Sequence, residues 1–354
     1  MLVGLAVILV VVGADLGRRR TDRGAAGTVR RDKLHYGLGV AVDQPSAALA
    51  NQLDHFRRLG VTEVKAAAVW WWLCEAGPRR CNWRPLDRVV RAVAARGMSL
   101  TLTVSGTPAW VHPDLADRLQ HFWYPPTRAS TELGRWEQFV GDLVGRYGTR
   151  VDLYEVWNEP NTDQFWRTGP DPAAYLRLVR SAYLSAKRVN PEVTIAAGQL
   201  SRNDLGFLNG YYRAAEAMNG PEAAALDWYF DVLGVHPYCG ADPPDAVAHR
   251  QRMGQFGEVD ESFLGYRRMW ELVRRREGRG KPLNLGEFGY STTATWMDPV
   301  ADATRAGWLE IAFRLADRDS FVRGLTWYTY SGHRGFDIAG TATERAFGEA
   351  ALSL

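Results

Sequence analysis

Residues 151–200 read VDLYEVWNEPNTDQFWRTGPDPAAYLRLVRSAYLSAKRVNPEVTIAAGQL, one complete unit of a pattern that recurs along the chain. An apolar run at 151–158 gives way to a polar loop. A helix pattern follows over AAYLRLVRSAYLSAKRVN, with apolar residues three to four apart, and it stops at Asn190, where a left-handed cap is favoured. A second apolar run then occupies 193–200. Strand, loop, helix and strand in succession build a parallel sheet, because a parallel neighbour is reached only through a crossover.

The unit repeats on both sides. Strand candidates are 34–42, 62–70, 99–106, 151–158, 193–200, 230–237, 283–288 and 322–330. Between them lie amphipathic patterns such as AALANQLDHFRRLG, LDRVVRAVAARG, LGRWEQFVGDLVGRYG, LGYRRMWELVRRREG and RAGWLEIAFRLADRD. Gly60, Gly97 and Gly148 stand where helices need a residue of positive φ. Eight units predict an α/β fold, a single (β/α)8 TIM barrel over 33–354, an architecture of about 250 residues plus insertions. A doubly wound sheet would carry a glycine-rich first turn; residues 37–45 (GLGVAVDQP) hold GLG but no third glycine opening a helix.

With 354 residues, 46% hydrophobic, the chain is globular, and a net charge of +3 gives no reason to expect nucleic acid as a partner. Its cations are nearly all arginine; the lysines are Lys33, Lys65, Lys187 and Lys281, so each lysine is a non-default choice. Leu2–Val12 form an apolar run too short for a comfortable membrane span but suited to a signal-peptide core. Arg18, Arg19, Arg20 and Arg23 follow it. Residues 1–32 are therefore read as a signal- or anchor-like segment with a basic tether. That reading implies a secreted or envelope-associated protein, held to a membrane if the segment is retained. Cys74 and Cys81 are spaced for a local disulfide, which fits an oxidising compartment, and Cys239 is expected to be a partly buried free thiol.

In such a barrel, reactive groups come from the C-terminal ends of the strands and the loops just after them. Those ends supply Trp70 and Trp71, Ser105 with Thr107-Pro108-Ala109-Trp110, Asn158 and Glu159, His236 and Tyr238, Glu287, and Trp327. Flat apolar rings to stack on, and polar groups for a rim, are what a sugar requires. Glu159 and Glu287 end strands four and seven and face each other across the mouth. A separation of about 5–5.5 Å would mean glycosidic cleavage with retention, and about 6.5–9.5 Å inversion. Strand alternation puts Glu155, Trp157 and Glu159 on one face. Strand one lacks an H-x-H pair and the histidines are scattered, so neither a metal nor a cofactor is expected.

WNEPN after strand four, HPY after strand six, GEFG on strand seven and a Trp on strand eight resemble clan A of the glycoside hydrolases. TPAW after strand three points to family 39 within it. The resemblance spans essentially the whole barrel. It implies a retaining hydrolase that cleaves O-glycosidic bonds of a polysaccharide or oligosaccharide by double displacement. Glu159 would be the acid/base and Glu287 the nucleophile. Asn158 would bind the sugar 2-hydroxyl, His236 and Tyr238 would flank the nucleophile, and Trp327 would form the floor. Trp110 and His112 are further candidate contacts. Lys65 stands where that family usually carries an arginine. Lysine keeps the charge but loses the planar fork, and it is expected to pair with Glu155 or approach Glu287, the layering of even strands favouring Glu155.

Of Trp70, Trp71, Trp72, Trp110, Trp123 and Trp166, two or three are expected to touch substrate. The chain ends soon after its eighth helix pattern, without the accessory β-sandwich of exo-acting family 39 xylosidases. Insertions at 107–131 and 239–262 would wall an open cleft, so internal cutting by a monomer is expected. The competing readings are a catalytically impaired barrel that binds polysaccharide, and a transglycosylase.

Overall fold

The computed structural model describes residues 34–118, 120–246, 251–333 and 335–354, so the expected leader and tether lie outside the described residues. Eight parallel strands close into a barrel: β1 (His35–Gly39), β2 (Glu63–Val69), β3 (Ser99–Ser105), β4 (Leu153–Val156), β5 (Ile195–Ser201), β6 (Val232–His236), β7 (Leu283–Phe288) and β8 (Val322–Trp327). His35 of β1 sits opposite Gly324 of β8 and shuts the ring. Each strand falls within a predicted run, except that β5 extends one residue past 193–200 to Ser201. The runs 151–158 and 322–330 overshoot because the chain leaves the ladder at Val156 and Trp327 to build the mouth.

Helices surround the strands as their apolar periods require. Helix Ser130–Tyr147 buries Trp136, Phe139, Val140 and Leu143. Helix Pro172–Val189 starts with a proline in its first turn and an Asp171 side chain accepting from the amides of Ala173 and Ala174. That cap satisfies amides that have no partner inside the helix. No helix among the described residues is long and apolar enough to cross a membrane.

Two local features prepare the site. The β5–β6 register slips between Ala197 and Leu200, where Gly198 (φ 99°) and Gln199 (φ 51°) bulge out of regular strand geometry. The barrel interior is polar in its middle, with Thr103, Glu155, Gln199 and Asn284 all buried. Gly286 makes room for this cluster: a Cβ there would lie 2.7 Å from Gln199 Oε1 and 3.2 Å from Lys65 Nζ.

The wall insertions acquire structure of their own. Residues 107–131 contain short 3-10 turns at Pro113–Leu115 and His121–Trp123. The second wall carries the antiparallel strands Gln251–Gly254 and Gly257–Asp260, the latter paired to Asn203–Asp204. Cys74 and Cys81 form the expected disulfide, with Cα atoms 4.0 Å apart. Cys239 is free and buried.

Candidate active site

β4 ends one turn earlier than alternation assumes. Trp157 and Glu159 take φ of 69° and 39°, a region that costs a non-glycine residue about 1–3 kcal/mol. Backbone bonds from Trp157 N to Val104 O (2.8 Å) and from Glu159 N to Gln199 O (3.0 Å) hold this turn, the second reaching the β5 bulge. The expectation that Trp157 shares a face with Glu155 and Glu159 is therefore corrected. Its indole turns outward, packs against Trp136 and Trp166, and donates to Phe165 O at 2.7 Å. Glu159 swings into the mouth, half-buried.

There its Oε1 lies 3.0 Å from His236 Nδ1. His236 is fully buried, and its Nε2 has no hydrogen-bond partner among the described residues. The same Nδ1 is 3.8 Å from Glu287 Oε2. His236 was expected beside Glu287; it sits closer to Glu159 and stands between the two carboxylates. One oxygen of Glu159, one of Glu287 and a ring nitrogen of His236 all lie within 4.8 Å of one another. Such spacing could also hold a divalent ion, but Lys65 Nζ, 3.4 Å from Glu287, opposes a second cation.

Glu287 is held from two sides. Tyr238 donates its hydroxyl to Oε2 at 3.3 Å. Lys65 Nζ donates to Gly286 O at 3.0 Å and to Glu287 Oε1 at 3.4 Å, and it lies 3.2 Å from Glu155 Oε2. Lys65 thus takes both expected partners at once. Glu155 has no solvent exposure; it accepts from Thr103 at 2.7 Å and from Asn284 at 2.9 Å, which fixes the carboxylate behind the lysine.

Burial pushes the Glu287 carboxyl up, but His236, Lys65 and the Tyr238 hydroxyl outweigh it and hold it below the usual carboxylate range. Burial lowers the Lys65 ammonium, yet Glu155 and Glu287 together leave it raised. Because the folded value for Glu287 is depressed, its stabilising contribution is complete above the ordinary carboxylate range and disappears as pH falls through the lowered value. Lys65→Met removes a cation that holds the Glu287 carboxyl down, so the acidic limb of the kcat/KM profile is expected to move to higher pH. The double variant Lys65→Met/Glu155→Gln avoids stranding a buried charge, a defect worth about 3–5 kcal/mol. An unmoved acidic limb in a folded double variant would remove Lys65 from this role.

No protein-family model matches the chain. It is 21% identical over 271 residues to a β-xylosidase of Geobacillus stearothermophilus, covering 71% of this chain and 48% of that protein, so it spans about half the length of this curated relative. A family 39 glycoside hydrolase from the gut symbiont Bacteroides cellulosilyticus WH2 superposes with TM-score 0.67 at 20% identity, over 90% of this chain and 63% of that one. The chain has the fold of the family 39 glycoside hydrolases. A monomeric β-xylosidase from Caulobacter crescentus CB15 (TM-score 0.59, 17% identity, 91% and 69% covered) is also similar. So is an endo-β-1,4-mannanase from Thermotoga petrophila (TM-score 0.61, 13% identity, 91% and 77% covered).

Within this glycoside hydrolase fold, several expected contacts are relocated. Trp327 is 0% exposed, with its indole directed to Phe336 O at 3.3 Å, and so offers no face to a sugar. The ring bordering the mouth is Tyr328, half-buried, whose hydroxyl is pushed up to about 12 by burial and by the charges of Glu287 and Glu159. The doublet Trp327-Tyr328 at the end of the strand run was its sequence signal. His112 is 1% exposed, 3.3 Å from Glu132, and packs behind the wall rather than in the cleft. Trp110 donates to Cys74 O at 2.8 Å and meets Trp70 edge-on, which ties it to the disulfide loop. Trp70 and Trp166 are buried, whereas Trp71, Trp72 and Trp123 keep partial exposure. Asn158 is half-buried beside Glu159, and its side chain makes no hydrogen bond among the described residues.

Proposed function

We propose that the protein is a retaining glycoside hydrolase acting by double displacement. The observation that carries this reading is the approach of Glu159 and Glu287 to within 4.8 Å, in different electrostatic settings. That spacing suits direct attack and leaves too little room for the interposed water of an inverting enzyme. Glu287, kept ionised by Lys65 and Tyr238, attacks the anomeric carbon while Glu159 gives its proton to the departing glycosidic oxygen. The intermediate is an ester of Glu287. Its formation removes the Glu287 charge, so Glu159 can then take a proton from water, which attacks the same carbon and releases Glu287. His236, bonded to Glu159, orients the acid. Asn158, whose side chain makes no hydrogen bond among the described residues, binds the 2-hydroxyl on this reading.

The substrate on this reading is a polysaccharide cut internally. Support comes from the 3-10 turns at Pro113–Leu115 and His121–Trp123, from the strand pair Gln251–Gly254 and Gly257–Asp260, and from the stack of Trp71 on Phe122 at 5.0 Å. The Cys74–Cys81 disulfide supports action outside the reducing cytosol. A panel of activated aryl glycosides tests the activity, and chromatography of products from a long polymer tests the mode. Turnover of no member of the panel would overturn the hydrolase reading. Release of monosaccharide alone from one chain end would overturn internal cutting.

A further inference from the structure

Trp296, in the loop after β7, is 57% exposed, the one aromatic among the large hydrophobic side chains left open among the described residues. Its position is nevertheless built. Tyr238, the residue that donates to Glu287, meets its ring edge-on at 5.2 Å, and Phe336 lies nearly parallel to it at 6.3 Å. The Arg202 guanidinium sits over the same indole, 5.7 Å from its centroid.

Arg202 is also fixed at its backbone. Its φ is 59°, and its N–H donates to His236 O at 2.9 Å, which pins the residue to the end of β6. Glu261 Oε1 lies 3.3 Å from Nε of the guanidinium and is shared with Arg252 at 2.6 Å. The two terminal NH2 groups of Arg202 make no hydrogen bond among the described residues, and the side chain is 34% exposed. A positioned aromatic face and an unfilled planar fork therefore adjoin each other, each one residue removed from the catalytic pair through Tyr238 and His236.

We propose that Trp296 and Arg202 form a subsite for an acidic sugar, a hexuronate unit of the substrate polymer, on the side of the cleft next to Glu159 and His236. The sugar ring packs against the exposed part of the indole, and its carboxylate takes the two free NH2 groups as a bidentate pair, a geometry that lysine could not offer. Phe336 and Tyr238 hold the indole, and Glu261 holds the guanidinium by its other edge, so little side-chain freedom is lost on binding.

This assignment rests on the glycosidase reading, and its test separates the two. Glu287→Gln protein is titrated calorimetrically with oligoglucuronate, oligogalacturonate and the carboxyl-reduced neutral form of each. At least one acidic oligosaccharide is expected to bind about tenfold or more tighter than its reduced counterpart, as a charged hydrogen-bonded pair implies. Arg202→Met should abolish that preference, and Trp296→Ala should weaken both forms about three- to tenfold. Equal binding of acidic and reduced forms, a preference surviving in Arg202→Met, or no binding by either acid overturns the subsite. A preference for sulfated neutral oligosaccharides over both acids overturns the carboxylate assignment. Wild-type turnover of aryl glycosides is read separately: turnover without a carboxylate preference removes only the subsite, whereas no turnover removes the glycosidase reading.

Discussion

Glu287→Ala should lower turnover of an activated aryl glycoside by about 10⁴-fold or more, since no neighbouring group can form the intermediate in its place. Removing the carboxylate leaves Lys65 paired with Glu155 3.2 Å away, so the barrel interior stays charge-balanced and the variant should fold. Sodium azide should restore part of the rate by entering the vacated space, giving a glycosyl azide of the opposite anomeric configuration. A loss of only a fewfold, or azide product of the substrate's own configuration, would show that Glu287 is not the attacking group.

Glu159→Ala should behave differently, because an acid matters in proportion to the basicity of the leaving group. Alkyl and sugar leaving groups should lose about 10²–10⁴-fold. A dinitrophenyl leaving group needs no proton, so its departure should survive while hydrolysis of the intermediate slows, giving a burst followed by slow turnover. Azide should then speed turnover and yield product of the original configuration. Equal losses across leaving groups would reassign Glu159. The neighbouring His236, 3.0 Å away, is the group to examine in that event.

Much of the barrel was legible because strands and helices have different apolar periods, and eight alternations admit few other closures. The two glutamates were legible for a related reason: strand ends are where this fold presents side chains. Trp157 was misplaced because alternation holds only while the backbone stays extended, and φ turns positive one residue after β4. Trp327 was expected to line the mouth where Tyr328 does, since β8 stops at Trp327 and periodicity cannot say which side of the last residue faces in. His112 and Trp110 lie in an insertion whose path depends on Glu132 and the disulfide loop, contacts set by tertiary packing.

Lys65 shows how far a single unusual residue can carry. Its scarcity as a residue type marked it, and β2 delivers it between Glu155 and Glu287. One ammonium then serves two carboxylates, where a guanidinium fork could bind one of them with two parallel bonds. On the proposed mechanism, the ionisation of the attacking carboxylate then depends on a shared charge. Trp296, by contrast, carried no signal beyond its type, because its position comes from Tyr238 and Phe336 on other parts of the chain.

Retention is the central claim, and proton NMR of the first-formed sugar tests it most directly. An aryl glycoside that the protein accepts is hydrolysed in the spectrometer, and the anomeric signals are followed before mutarotation mixes them. The pair, with carboxylate oxygens within 4.8 Å, predicts that the hemiacetal first appears in the same anomeric configuration as the substrate. First appearance of the opposite anomer would contradict double displacement through Glu287.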